Sequence, residues 1–451
     1  MIRCRAATIL EILSALTLVL ALGGCDVWHS WFGDEDKKPK LKGERIPVLV
    51  AEQNLKPDPQ VQDLAVQLPS AQNNPDWPQS GGNPAHDMQN VSVGNSLNQV
   101  WSSSIGEGRN KHSNHLAVPV IGGGRIFTMD TESVVRAFDL DRGGRIWETD
   151  VKPDADDIGD GDVGGGVGYA DGQVFVTNNF GEVLALDANS GAIKWRRSLA
   201  GPTRAAPTVG GGRAFVVTAD NQLNVLDVKD GRVEWTHAGL SEVTGLLGAA
   251  SPAFDGDIVV VPYTSGELYA IRADNGRVLW SDSLASVRRA DAISALADIR
   301  ANPVIDRDRV VAVGNSGRMV AIDLRSGGRA WEDPIGGWTM PWVAGDFVFV
   351  LSNENQLICL TRRDGRVRWL VQLDRWKDTE KKKDPILWVG PVLIGDKLVT
   401  ASNDERLITI SPQDGTILNT IELGDPVSIP PIAANGTLYV LTDAGDLRAF
   451  R

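Results

Sequence analysis

Histidine, cysteine and clustered aspartate are the residues that could do chemistry in this chain, and they offer few candidates. The 451 residues contain five histidines and three cysteines. His112 and His115 have two residues between them in the segment RNKHSNHL, but a zinc site needs at least one further ligand held by the fold. We therefore expect no metal at this histidine pair.

A second candidate is the acidic stretch DADDIGDGD, which runs from Asp154 to Asp162. Aligned with a calcium-binding loop, it places Ile158 at a ligand position and Gly165 where the bidentate glutamate belongs. The GGGVG that follows does not fit the G-x-G-x-x-G pattern of dinucleotide sites. We interpret the stretch as a solvated acidic loop, and the sequence predicts no catalytic residue, metal or cofactor.

The dominant feature is a repeated ten-residue phrase. It begins with an apolar residue, which is usually followed by an aspartate; a glycine stands at the sixth position and a tryptophan at the tenth. Six copies are spaced 38 to 51 residues apart, a period typical of propellers and solenoids. The closing residues are Trp147, Trp195, Trp235, Trp280, Trp331 and Trp369, and a seventh copy has Asn419 instead.

Each repeat unit predicts four short strands, A to D, separated by turns. In the third copy we expect strand A at 206–209, B at 214–218, C at 223–227 and D at 233–236. The phrase glycine then lies in a tight C–D hairpin that requires positive φ. The tryptophan on the outer strand is predicted to cover the neighbouring blade.

The number of units predicts how the ring closes. The eighth unit has no strand D, and the segment 98–105, with Trp101, has the pattern of that strand. We therefore predict an all-β fold for residues 76–451: an eight-bladed β-propeller of four-stranded antiparallel blades, closed by an N-terminal strand in the C-terminal blade. Seven blades followed by a loose hairpin is the alternative.

The N-terminal residues predict export. Arg3 and Arg5 precede an apolar run that is too short to span a membrane, and LGGC follows it. Small residues before a cysteine resemble the lipobox of bacterial lipoproteins, which implies a signal peptide at 1–24 and a lipid on Cys25. An ordinary signal peptide is the alternative. Cys359 then remains as a buried, unreactive thiol.

Composition indicates a flexible tether between the lipid and the propeller. Residues 25–75 are rich in Lys, Pro, Asp and Gln, although GERIPVLV at 43–50 is strand-like and could dock on a blade edge or a partner. The formal net charge of −13 argues against nucleic acid and against binding to anionic lipid headgroups.

The connections from strand D to the next strand A are long and uneven, and in a propeller they share one rim. Insertions on one face commonly form a binding surface. Four tryptophans in or beside these loops are candidate rim contacts with a protein partner, and plugging of the channel mouth is the alternative. They are Trp338, Trp342, Trp376 and Trp388.

The repeat phrase, the segment DWPQSGGNPAH at 76–86 and the motif at Cys25 together resemble the BamB family of outer-membrane assembly lipoproteins. The likeness spans residues 76–451. The resemblance implies a non-catalytic scaffold that binds the periplasmic POTRA domains of the barrel protein BamA, other Bam subunits and nascent outer-membrane proteins. The repeat phrase is shared with the pyrroloquinoline-quinone-dependent dehydrogenases, but the adjacent cysteines found in many of those enzymes are missing here.

The resemblance also implies where BamA binds. In the family the contact involves the D–A loops of two consecutive middle blades, which correspond here to VTGLLGAASP and SALADIRANP. Leu246 matches the family's leucine and Asp298 its first aspartate, whereas Leu247 replaces an arginine and Arg300 a second aspartate. We expect these four positions to lie at the partner-binding site.

Asp26, next to the lipidated cysteine, favours inner-membrane retention in enteric bacteria. We expect the outer membrane, facing the periplasm, and keep the inner membrane as the alternative. Two other functions remain open: a quinoprotein dehydrogenase, and a propeller lipoprotein that binds another envelope partner or cell-wall sugar.

Overall fold

The computed structural model describes residues 55–110, 116–153, 164–241, 249–285 and 297–451. Every regular element in these residues is a β-strand, and the strands form eight four-stranded antiparallel sheets and one two-stranded hairpin. This arrangement confirms the predicted all-β, eight-bladed propeller. The described residues contain no helix with the length and hydropathy of a membrane span.

The strands follow the predicted order, and in the third copy their ends lie within two residues of the expected positions. In chain order they are β1 (Gln99–Ser104); in blade I β2 (Val120–Gly122), β3 (Arg125–Met129), β4 (Val134–Asp139) and β5 (Arg145–Asp150); in blade II β6 (Gly165–Ala170), β7 (Gln173–Asn178), β8 (Glu182–Asp187) and β9 (Ile193–Ser198); in blade III β10 (Thr208–Gly210), β11 (Arg213–Val217), β12 (Gln222–Asp227) and β13 (Val233–Ala238); and in blade IV β14 (Ala253–Asp255), β15 (Ile258–Pro262), β16 (Glu267–Arg272) and β17 (Val278–Ser283).

The second half of the ring repeats this order, with a small hairpin inserted between blades VI and VII. Its strands are β18 (Val304–Asp306), β19 (Arg309–Gly314), β20 (Arg318–Asp323) and β21 (Arg329–Asp333) in blade V; β22 (Trp342–Ala344), β23 (Phe347–Leu351), β24 (Gln356–Thr361) and β25 (Val367–Gln372) in blade VI; the hairpin β26 (Trp376–Asp378) and β27 (Lys383–Pro385); β28 (Trp388–Ile394), β29 (Lys397–Ser402), β30 (Arg406–Ile410) and β31 (Ile417–Glu422) in blade VII; and β32 (Ile432–Ala434), β33 (Thr437–Leu441) and β34 (Asp446–Phe450) in blade VIII.

Blade VIII is built from two distant parts of the chain, which confirms the predicted closure. β1 pairs antiparallel with β34, so that Trp101 lies opposite Ala449 and Ser104 opposite Asp446. β1 is thus the outer strand of a sheet whose other three strands come from the end of the sequence. This pairing completes the blade and leaves β34 without a free edge.

The repeated phrase makes a C–D hairpin in each copy, with a glycine in the turn and, in four of the seven copies, an aspartate that accepts backbone N–H groups. In blade I, Asp139 Oδ1 accepts the backbone N–H groups of Asp141 and Arg142 at 3.1 and 2.8 Å. The phrase glycine has positive φ in all seven copies, between 68° and 77°. A residue with a Cβ would adopt this conformation only at a cost.

Each phrase tryptophan fastens its blade to the hairpin of the next blade. Trp195 donates its indole N–H to the carbonyl of Val228 at 3.0 Å, and a Cβ added to Gly231 would lie 2.6 Å from the Trp195 ring. The other five tryptophans make the same hydrogen bond, at 2.8 to 3.1 Å. The glycine therefore serves both the turn of its own blade and the ring of the preceding blade.

The junctions on either side of blade VIII depart from this pattern for a topological reason. Blade VIII has no C–D hairpin, since its strands C and D come from opposite parts of the chain. In the preceding blade VII, an exposed Asn419 on β31 replaces the phrase tryptophan. At the junction with blade I, Trp101 packs on Gly143, but the carbonyl of Leu140 accepts the hydroxyl of Tyr439 at 3.2 Å. The buried indole nitrogen of Trp101 has no hydrogen-bond partner among the described residues.

Residues 74–94, named here the belt, run past the innermost strand of every blade. In blades I to V one backbone N–H at the same position of strand A donates to the belt at 2.7 to 3.1 Å; the donors are Ile121, Tyr169, Val209, Phe254 and Ile305. In blades VI and VII, Gly345 and Gly395 donate to the belt, and in blade VIII Gly436 accepts from Gly94. The belt thus supplies hydrogen bonds to strand A edges that no neighbouring strand covers.

Residues 55–75 lie against blades VI and VII. The N–H of Asp58 donates to the carbonyl of Val367 at 2.8 Å, and Arg368 donates to the carbonyl of Leu64 at 2.6 Å. Gln413 bonds the backbone N–H and carbonyl of Val66 at 3.2 and 2.8 Å. The tether boundary at residue 75 stays a prediction, and the described part of that segment contacts the propeller.

Candidate functional site

The alternation of strands sorts the connections onto two faces of the ring. The D–A connections and B–C turns lie at one end of the strands, which we call the upper rim. The A–B and C–D turns lie at the other end, the lower face, and the belt runs beside the A–B turns. The D–A connections span 105–119, 151–164, 199–207, 239–252, 284–303, 334–341, 373–387 and 423–431.

The predicted partner-binding residues fall in two neighbouring D–A connections of the upper rim. Leu246 and Leu247 lie outside the described residues. Asp298 is only 1 % exposed, and its carbonyl accepts the N–H of Asn315 at 3.0 Å. We expected an exposed loop aspartate, whereas the side chain of Asp298 is buried inside the rim.

Arg300 lies nearer the surface, where its guanidinium covers an aromatic ring. Its Cζ is 5.8 Å from the centroid of Trp338, in the next D–A connection. Burial lowers the pKa of the Arg300 guanidinium and the nearby Asp298 carboxylate raises it. The two connections are therefore joined by a cation–π contact.

The other predicted rim tryptophans divide between core and surface. Trp342 and Trp388 are 2 % and 1 % exposed, so they are core residues and cannot contact a partner. Trp342 stacks on Trp77 with 6.2 Å between ring centroids, and its indole donates to the carbonyl of Gln89 at 2.7 Å. Trp376 is partly buried at the start of β26. The two buried rings belong to strand A of a blade, whereas Trp376 belongs to the inserted hairpin.

The stack of Trp77 on Trp342 connects two blades that are not neighbours. Trp77 exchanges two backbone hydrogen bonds with Ile121 of blade I, whereas Trp342 belongs to blade VI. Through Trp77 the belt therefore contacts blade I by its backbone and blade VI by its aromatic ring. Plugging of the channel mouth stays a prediction.

The residues considered first for chemistry give no site in the described part of the chain. Cys25, the pair His112 and His115, and the acidic stretch 154–162 lie outside the described residues. Cys359 is a buried free thiol whose pKa is raised by burial. Within the described ranges no group of three His, Cys, Asp or Glu side chains could hold a metal ion.

A buried ionisable cluster in the belt was not predicted from the sequence. Asp87 and Asp306 of β18 share the side-chain amide of Gln89, which donates to their Oδ1 atoms at 2.6 and 3.2 Å. Burial and repulsion by Asp306 raise the pKa of Asp87 to about 7. Arg307 and Arg362 bond the other oxygen of Asp306. The belt is therefore tied to blade V by charged groups.

His86 anchors the belt beside this cluster. Its Nδ1–H donates to the carbonyl of Pro303 at 2.7 Å, and burial lowers the pKa of the imidazole to about 4. A Cβ added to Gly81 would lie 2.4 Å from the imidazole, so this position requires glycine. The glycine pair beside His86, in a segment without strand alternation, was the signal available in the sequence.

An aromatic cluster holds the beginning of the D–A connection that contains Leu246. His237 Nδ1 lies 2.9 Å from the hydroxyl of Tyr263, and its ring centroid is 4.6 Å from that of Tyr269. Glu267 accepts the Tyr269 hydroxyl at 3.0 Å and the N–H of Leu240 at 2.7 Å. Leu240, 65 % exposed, is thereby fixed on the upper rim.

Fold and site together define a β-propeller whose repeats are joined by tryptophans. Arg300 and Trp338 connect two loops of its upper rim, and the belt runs along its lower face. A family model described as outer membrane protein assembly factor BamB matches residues 130–371 and 374–451. This chain belongs to that family.

Curated relatives agree with the family match. An outer membrane protein assembly factor BamB of Yersinia pestis is 28 % identical over 274 residues, which are 60 % of this chain and 70 % of that protein. The protein of the same name from Salmonella typhimurium is 26 % identical over 279 residues, which are 60 % of this chain and 69 % of the relative.

Solved structures share the fold at lower identity. The crystal structure of BamB from Moraxella catarrhalis superposes with a TM-score of 0.62 and 19 % identity, covering 79 % of this chain and 98 % of that one. Quinohemoprotein alcohol dehydrogenase from Comamonas testosteroni gives 0.65 and 15 % identity, covering 84 % and 81 %. At such identities the likeness shows the fold alone.

Proposed function

We propose that this protein is a non-catalytic scaffold subunit of the outer-membrane β-barrel assembly complex. In this proposal the upper rim binds the POTRA domains of BamA, and the complex, with its other Bam subunits, helps nascent barrel proteins to insert. Membership of the outer membrane protein assembly factor family is the observation that carries the proposal. The two D–A connections joined by Arg300 and Trp338 are the proposed docking surface.

The anchoring of the scaffold is proposed with it. Residues 1–24 act as a signal peptide, Cys25 carries the acyl chains, residues 25–75 form the tether and residues 76–451 the propeller. The proposed location is the outer membrane on its periplasmic side, with the inner membrane as the alternative because of Asp26. Labelling of cells with palmitate checks the lipid, which should be lost in Cys25→Ala.

Substitution in the D–A connection of blades III and IV tests the docking surface. Leu246→Asp together with Leu247→Asp should reduce the BamA that co-purifies from solubilised membranes by about tenfold, since charge on an apolar contact costs on the order of 1.4 kcal/mol or more. Asp298 is a poor test residue because its substitution would disturb the core of the rim.

The control for this experiment is Leu418→Asp on β31, where a leucine is 51 % exposed away from the proposed surface. It should leave recovery of BamA unchanged. Equal recovery of BamA with the wild-type and the Leu246 and Leu247 variants would reject this docking surface, and absence of BamA from the wild-type preparation would reject the function itself.

A quinoprotein dehydrogenase is the second candidate, because the repeated phrase resembles that of the pyrroloquinoline-quinone-dependent dehydrogenases. Incubation of the purified protein with pyrroloquinoline quinone and calcium distinguishes the two. A bound quinone spectrum with dye-linked alcohol oxidation would support the enzyme and contradict the scaffold.

A further inference from the structure

Arg300 has a guanidinium that stacks on an aromatic ring but lacks hydrogen-bond acceptors among the described residues. It lies in the D–A connection between blades IV and V, partly buried, with its guanidinium over the ring of Trp338. Among the described residues no oxygen accepts a hydrogen bond from this guanidinium and no carboxylate forms an ion pair with it. The five N–H donors of this guanidinium therefore have no acceptor within the part of the chain that the structure describes.

A second arginine in the same ring shows what a complete environment contains. The guanidinium of Arg406 lies 5.3 Å from the centroid of Trp388, the same kind of stack. Arg406 also pairs with Asp404 and with Asp374, the latter at 2.9 Å. In blade VII the guanidinium of the stacked arginine thus has two carboxylates as partners in addition to the aromatic ring.

The partial burial of Arg300 affects both its free energy of solvation and its readiness to bind a ligand. Removing a guanidinium from water is unfavourable unless its donors find acceptors. Asp298 attracts the cation and opposes the lowering of its pKa by burial, so the side chain stays charged. Packing on Trp338 restricts its rotamers, which reduces the entropy lost when a ligand binds.

We propose that Arg300, with its guanidinium over the Trp338 ring, is a receptor for a carboxylate side chain of the protein that docks on the upper rim. This inference rests on the proposed function and adds the chemistry of the contact. A planar guanidinium binds a carboxylate through two parallel hydrogen bonds, which fixes the orientation of the partner as well as its position.

A protein carboxylate is favoured over a lipid phosphate for two reasons. The chain carries a formal net charge of −13, which opposes approach to an anionic membrane surface. Arginine and tryptophan together at a partly desolvated site are typical of the residues that dominate the binding energy of protein interfaces. Binding to phospholipid vesicles is therefore an outcome that would contradict the proposal.

The test measures binding of the lipid-free full-length protein to the purified POTRA region of BamA from the same organism. Arg300→Glu should raise Kd by about tenfold or more, because repulsion replaces a charge-assisted contact. Arg300→Lys keeps the charge but loses the paired geometry, and its Kd should lie between those of the wild-type protein and Arg300→Glu. The loss should shrink at high salt.

The matched control is Arg277→Glu, which makes the same charge change at an exposed arginine in a C–D turn of the lower face. Its Kd should equal that of the wild-type protein. Thermal melts verify folding, and Arg300→Gln replaces Arg300→Glu if the latter fails to fold.

The outcomes separate the inference from the function on which it rests. If the wild-type protein does not bind the POTRA region, the proposed function fails. If it binds and Arg300→Glu binds equally well, only the carboxylate receptor is wrong. Vesicles of phosphatidylglycerol that bind the wild-type protein but not Arg300→Glu would assign Arg300 to a lipid phosphate and overturn the proposal.

Discussion

Burial shifts the pKa values of two adjacent side chains of the belt in opposite directions. Burial disfavours the charged form of both His86 and Asp87, so the pKa of the histidine falls to about 4 and that of the aspartate rises to about 7. His86 therefore costs stability as the pH falls below 6.5, and Asp87 costs stability as the pH rises above 3.8. Between these two pH values both penalties are present, and as the pH rises the penalty from His86 shrinks while that from Asp87 grows.

Replacing Asp87 should show how much stability the folded protein loses by burying this carboxylate. Because its pKa is raised from 3.8 to about 7, the folded state loses stability as the pH rises from about 4 through about 7. Asp87→Asn should therefore raise the melting temperature at pH 8 and leave it almost unchanged at pH 4. Thermal unfolding at both pH values measures the difference.

Asp187→Asn provides the control of opposite sign. Hydrogen bonds from the Ser190 hydroxyl and backbone lower the pKa of the partly exposed Asp187, so its carboxylate favours the folded state at neutral pH. This variant should have a lower melting temperature at pH 8. A lower melting temperature at pH 8 for Asp87→Asn as well would show that Asp87 is stabilised in the belt as an anion.

At the scale of the element, the C–D hairpin performs two tasks with one glycine. Gly231 has φ of 68° and receives the Trp195 ring, whereas Gly212 in the A–B turn of the same blade has φ of 76° and no neighbour within 4 Å of an added Cβ. The two positions separate backbone strain from the contact between blades.

Alanine at these two glycines should therefore have unequal effects. Gly212→Ala should cost about 1 kcal/mol, which is the penalty for positive φ. Gly231→Ala should cost about 1–3 kcal/mol more, since the methyl group would displace Trp195. Urea unfolding at constant m-value measures both, and equal losses would mean that the tryptophan relaxes without cost.

These hairpins show how much the sequence could predict. Spacing alone located the phrase glycine, the tryptophan contact and the closing strand with Trp101, because each depends on local turns or on a repeat. The burial of Asp298 and Trp388 and the cluster at Asp87 could not be predicted in this way. Those features depend on contacts between segments that no period relates.

At the scale of the whole molecule, the belt links all eight blades through residues that are neither strand nor helix. Its hydrogen bonds reach strand A of each blade from the centre of the ring, while the tryptophans join the blades at the periphery. The blades are therefore joined both near the centre of the ring, by the belt, and near its outer edge, by the tryptophans.

Removing the belt should loosen the inner strands selectively. A variant lacking residues 1–94 retains β1, and the N–H groups of Ile121, Val209 and Phe254 should exchange with solvent at least about tenfold faster than in a variant lacking residues 1–54. Hydrogen–deuterium exchange with mass spectrometry measures this. Unchanged protection of these strands would show that solvent or side chains replace the belt without cost.

The shared blade also sets a condition on biogenesis. β1 is synthesised near the beginning of the propeller, and its partner β34 only near the end of the sequence. Until β34 has been synthesised, β1 has no partner strand and blade VIII cannot form. The ring therefore closes only when its last segment is present, and a chain that stops before β34 keeps unpaired sheet edges that can pair with other chains.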